Sequence, residues 1–152
     1  MLKNILIAGL LVLASTQTFA NETAHHIPGV FIGATHADSE TEMSFGIEYE
    51  YKLSELWGTG IVFEKTNDAH HGDGADVYLA MAYVHPWNSI RLGLGYGKED
   101  IGGAHGGKED LYRVESSYDF HVGSFMIAPT LAFDFVDGET HTVTELVFLM
   151  PF

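Results

Sequence analysis

Apolar side chains recur at every second position through most of the chain beyond residue 29. The clearest run is 43–53. There Met43, Phe45, Ile47, Tyr49, Tyr51 and Leu53 share one face, and Ser44, Gly46, Glu48, Glu50 and Lys52 share the other. A helix would smear both sets around its circumference, so a period of two predicts a strand. Seven more segments repeat the arrangement between turn signals: 30–35, 57–65, 77–84, 90–97, 112–122, 125–135 and 142–152. In 57–65, Trp57, Thr59, Ile61 and Phe63 oppose Gly58, Gly60, Val62 and Glu64. In 77–84, Val77, Leu79, Met81 and Tyr83 oppose Tyr78, Ala80 and Ala82. In 90–97 the face opposite Ile90, Leu92, Leu94 and Tyr96 is Arg91 with three glycines.

Eight strands of roughly ten residues, an even number, predict an all-β, eight-stranded antiparallel up-and-down transmembrane β-barrel. The interior of such a barrel has room only for side chains. Small and ionisable residues are therefore expected inside, and the large apolar face of every strand, 77–84 included, toward lipid. Tyr51, Trp57, Tyr83, Trp87, Phe125 and Phe152 fall near strand ends, where an aromatic girdle belongs. The links after strands two, four and six are short. Those after strands one, three, five and seven read as longer and rich in Gly, Asp and His. Short periplasmic turns and longer outer loops put both termini in the periplasm. A soluble barrel of the lipocalin kind is the alternative fold, disfavoured by the polar face assigned to the interior.

Residues 1–20 read as a signal peptide: Lys3 is the basic flank, 5–13 an apolar core, and Thr18, Phe19 and Ala20 a small-residue cleavage site. Residues 21–152 then form the barrel domain. With no cysteine in the sequence, neither a disulfide nor a thiolate site is available. Acidic residues number 21 against 7 basic ones, a balance that repels nucleic acid and suits cations.

The last segment, Thr142 to Phe152, alternates apolar residues and ends on an aromatic. With the eight-strand pattern over Val30 to Phe152, it resembles the small outer-membrane β-barrels, a family that includes the transmembrane domain of outer membrane protein A and the opacity-type barrels. The resemblance implies an outer-membrane location, contact with outer-membrane lipid and lipopolysaccharide, and recognition of the final aromatic by the barrel-assembly machinery. Pro151 departs from the family pattern, because proline removes a ladder donor.

Three constellations could carry chemistry. By alternation, Glu48, Glu50, Lys52, Glu64, Arg91, Arg113, Glu115, Asp119, Asp134 and Glu145 point into the lumen, with His121 near one end. They read as a salt-bridged plug, or alternatively as a narrow proton or cation path, since seven are acidic and three basic. Each outer loop also combines histidine with carboxylates. His36, His70, His71, Asp73, His105 and His141 are the candidate ligands for a divalent cation, although no recognised metal spacing is present. The bland reading is solvated loops, and divalent ions could bridge them to lipopolysaccharide phosphates. His25 and His26 read as a frayed polar tail. The third constellation is enzymatic: some barrels of this size modify lipid A with Ser, His and an acid. No His-x-Ser occurs here, and Ser116 and His121, five apart on a strand, fall on opposite faces. The sequence therefore favours a non-enzymatic, monomeric barrel with a structural or envelope-interaction role and no cofactor. A cation-binding or cation-conducting barrel and a lipid A-modifying enzyme are the alternatives.

Overall fold

The computed structural model describes residues 24–67 and 72–152. The signal peptide, Asp68, His70 and His71 lie outside the described residues. The chain runs through nine strands: β1 (His26–Ala37), β2 (Glu40–Lys52), β3 (Trp57–Thr66), β4 (Ala75–Trp87), β5 (Ile90–Ile101), β6 (Lys108–Tyr118), β7 (Phe120–Val122), β8 (Phe125–Val136) and β9 (Glu139–Leu149). Sequential neighbours pair antiparallel from β1 to β6, β8 pairs with β9, and β1 pairs with β9 to close the sheet on itself. β6 and β7 are two halves of one barrel strand, because both pair with β8 and keep one register. The interruption at Asp119 has a simple cause. That register sets Tyr118 opposite Pro129, which has no N–H to give the ladder. The result is a closed eight-stranded barrel. No helix among the described residues is long and apolar enough to cross a membrane.

Large apolar side chains cover the outside, among them Ile47, Ile61, Leu94, Val114, Phe133 and Phe148. Trp57, Trp87, Phe125 and Phe152 are exposed at strand ends, as expected of a girdle.

β4 corrects the pattern. Val77, Leu79, Met81 and Tyr83 are buried, while Tyr78, Ala80 and Ala82 face out, the reverse of the expected orientation. Pairing explains the reversal. Its neighbours β3 and β5 turn glycines inward, and β4 fills the space they leave. A Cβ on Gly60 would lie 3.0 Å from the Tyr83 ring, and one on Gly95 only 2.5 Å from Met81 Sδ. Tyr83 is accordingly a lumen residue, 1% exposed, and no part of the girdle.

The link lengths also differ from expectation. The first and last outer links are two-residue turns, Asp38-Ser39 and Asp137-Gly138, with all four residues at positive φ. That is the type I′ geometry, whose twist matches the flanking strands and lets β1, β2, β8 and β9 run on into what had read as loops. The longer connections at this far end follow β3 and β5, and among the described residues they touch through Gly102 N donating to Gly74 O at 3.1 Å. His26 and Phe152 mark the opposite, near end.

The lumen and its mouth as candidate functional site

The interior polar groups gather around two guanidiniums. β6 carries Arg113, 1% exposed, whose Nε and Nη2 donate to the two oxygens of Asp134 on β8 at 2.6 and 2.7 Å. Nη2 also reaches Glu64 on β3 at 2.7 Å, and Nη1 reaches Glu145 on β9 at 3.3 Å. The planar fork suits such multiple carboxylate contacts, whereas a lysine would act as a single point charge.

β5 carries Arg91, equally buried. Its Nη1 donates to Glu48 at 2.7 Å and Glu50 at 3.4 Å, its Nε donates to Ser117 at 3.1 Å, and its Cζ lies 5.0 Å from the Tyr83 ring centroid. Glu50 is held from the other side by His85 Nε2 at 2.6 Å. Sequence reasoning missed His85 by leaving it in a turn. A register shift between Val84 and Trp87 rotates it into the lumen, while Pro86 and Trp87 stay outside. Room for Glu50 comes from Gly58, where a Cβ would sit 2.1 Å from Glu50 Oε1.

Of the expected lumen set, Glu48, Glu50, Glu64, Arg91, Arg113, Glu115, Asp119, Asp134 and Glu145 are all buried. Lys52 is only partly buried, at the end of β2 and outside both arginine clusters. His121 is exposed on β7, not in the lumen, because the barrel wall ends there. Of these seven buried carboxylates, Glu48 and Glu50 bond to Arg91, Glu64, Asp134 and Glu145 bond to Arg113, and Glu115 and Asp119 are buried beside them.

At the far end a cavity of about 150 Å³ opens, lined by Asp38, Glu40, Glu42, Glu99, Glu139 and His141 above Glu64 and Asp134. His141 is buried there with Nε2 3.6 Å from Glu139. The other described metal candidates are dispersed. His36 is exposed and bonded to Thr41 Oγ1 at 2.8 Å, His105 is exposed in the 102–107 link, and Asp73 is exposed in the 67–74 link. Among the described residues, no three His, Cys, Asp or Glu side chains come together as a metal group. Nor do Ser116 and His121 form a dyad, since five residues of strand separate them by about 16 Å.

Outside the apolar band, Lys98 and Asp110 pair across β5 and β6. The hydrogen bonds from Lys98, and then Tyr96, hold the Asp110 carboxyl below the ordinary aspartate range.

Eight antiparallel strands closed on themselves, with an apolar exterior and a polar bore, define a small β-barrel of the transmembrane kind. No protein-family model matches the chain, and no curated protein matches it in sequence. Solved structures do match. The N-terminal β-barrel domain of Pseudomonas aeruginosa OprF aligns at TM-score 0.56 and 12% identity, over 85% of this chain and 100% of that one. The Yersinia pestis outer membrane protein Ail, in a phospholipid bilayer nanodisc, aligns at 0.56 and 13%, over 83% and 99%. Neisserial surface protein A aligns at 0.52 and 10%, over 84% and 96%. The likeness is one of fold.

Proposed function

We propose that this chain is a non-enzymatic, monomeric barrel of the outer membrane whose role is structural or one of envelope interaction, carried by its outer surface and far rim. The observation behind this reading is the filled lumen. Arg91 and Arg113, with their carboxylates, occupy the bore from one wall to the other, so the barrel presents surfaces where a channel would present a path. In this reading the longer links 67–74 and 102–107 face outward, the termini lie in the periplasm, and the barrel-assembly machinery inserts the chain. The acidic mouth draws divalent cations as a loose layer that bridges to lipopolysaccharide phosphates.

The test has two parts. Envelope fractions from cells expressing the full chain should contain the protein in the outer membrane, with a gel band that shifts on boiling. Purified protein in a planar bilayer should pass no resolvable cation current. A soluble periplasmic band without a heat shift would refute the membrane reading, and a steady cation current would refute the plug.

A further inference from the structure

The closing ladder between β1 and β9 joins the first strand to the last, in eight residue pairs from Gly29↔Leu149 to His36↔Thr142. It is the most distant pairing along the chain, so its closure costs more loop entropy than any hairpin. On its inner side β1 sets Gly29 and Gly33 beside the buried Ile27 and Phe31. A Cβ on Gly29 would sit 2.6 Å from Leu149 Cδ2. Something must hold this seam at the near end, and the residues that do so are ones the alternation pattern left as a polar tail.

His26 N donates to Phe152 O at 3.0 Å, and Phe152 N returns a bond to His26 O at 2.9 Å, extending the ladder past Leu149. Pro151 does not interrupt it. The alternation of the ladder turns the nitrogen of residue 151 toward β8, which begins only at Phe125. The His26 ring stacks on Phe152 with centroids 5.4 Å apart and planes at 17°. On its other side it meets Tyr51 edge-on at 5.2 Å, and its Nδ1 lies 2.6 Å from the Tyr49 hydroxyl. His25 adds a stack on Tyr51 and a 2.9 Å bond from its ring nitrogen to Lys52 O. Residues 25 and 26 therefore tie β2, β1 and the end of the chain into one contact.

We propose that His26 is the latch of the barrel seam: its stack on Phe152 decides whether β1 and β9 stay closed, and the barrel opens there first when the stack is lost. An aromatic pair of this geometry is worth enough to change an opening rate about three- to tenfold. The experiment is urea unfolding of the full barrel in detergent micelles for His26→Ala, His26→Phe, Phe152→Ala and the double variant His26→Ala/Phe152→Ala, with hydrogen exchange read strand by strand. Each alanine variant should unfold about three- to tenfold faster, the double variant should be no faster than either single, and His26→Phe should stay near wild type. Exchange should rise at 26–30 and 148–152 and not at 79–84. Additive effects in the double variant, or a uniform rise in exchange, would overturn the latch. If the alanine variants fail to assemble, His26→Phe decides: assembly with wild-type exchange at the seam supports the stack, and failure overturns it.

Discussion

Replacing Arg113 by Met tests whether the lumen network is a fixed plug. Arg113 carries four hydrogen bonds to three carboxylates, Glu64, Asp134 and Glu145, each buried in the bore. Methionine keeps most of the length and removes the charge, so three carboxylates lose the one cation that contacts them all. Breaking a buried ion pair from one side costs about 3–5 kcal/mol, and the remote Arg91, already engaged with Glu48 and Glu50, cannot compensate. Urea unfolding in detergent micelles, at a slope of about 2 kcal/mol per M, should show the midpoint falling by about 1.5–2.5 M. Adding Glu64→Gln, Asp134→Asn and Glu145→Gln to Arg113→Met removes the stranded charges and should restore most of the loss, because a neutral packed set often equals a buried ion network. A loss below about 1 kcal/mol in the single variant would mean that the carboxylates reach water through the bore, and the plug would fail.

Four further outcomes follow. Leu94→Arg places a charge in the middle of the exposed apolar band; it should cost about 2–4 kcal/mol in a bilayer, whereas in a water-soluble barrel the same exposed position would tolerate it. Gly58→Ala drives a methyl into Glu50 and should cost about 1–3 kcal/mol by urea melt, with Gly58→Ala/Glu50→Ala recovering part of it. Because the Asp110 carboxyl is held low when folded, the small contribution of its pair with Lys98 is present above the ordinary aspartate value and disappears as pH falls through the folded value. NMR titration should show that low value moving up in Lys98→Met and in high salt. Stripping divalent cations with a chelator should leave the melting temperature in detergent unchanged while weakening retention on lipopolysaccharide-containing bilayers, and a large melting shift would indicate a dedicated metal site instead.

Much of this fold was legible because a membrane barrel writes its inside and outside at alternate positions. Of the seven segments given an inner and an outer face, six oriented as their bulk suggested, and nine of the ten assigned lumen charges are buried. β4 was not legible, since bulk alone cannot orient a strand whose neighbours turn glycines inward; the signal lay in Gly58, Gly60, Gly93, Gly95 and Gly97, on the two adjacent strands. His85 was hidden by a register shift, which moves a residue across the wall without changing the local composition. The turn at Asp137-Gly138 was readable, an Asp-Gly pair being a strong two-residue hairpin signal, yet the polar residues beside it hid the continuing strands. His25 and His26 were the opposite case: their neighbours in space, Tyr49, Tyr51 and Phe152, lie far away in sequence.

The inverted strand bears directly on how the barrel works. Had β4 turned Ala80 and Ala82 inward, the bore beside the glycines of β3 and β5 would have been empty, and the two arginines would have stood in a wide, wet lumen. Leu79, Met81 and Tyr83 instead dry one wall and press the guanidinium of Arg91 between the Tyr83 ring and Glu48. A dry wall raises the strength of every charge pair opposite it, because the local dielectric falls. The same substitution of large for small therefore both closes the bore and stiffens the network that fills it. The polar surface outside the bore gathers at the far rim, where Gly102 meets Gly74 beside the acidic mouth. Replacing the links after β3 and β5 should then alter binding at the cell surface while leaving the unfolding midpoint of the barrel within about 0.5 kcal/mol of its original value.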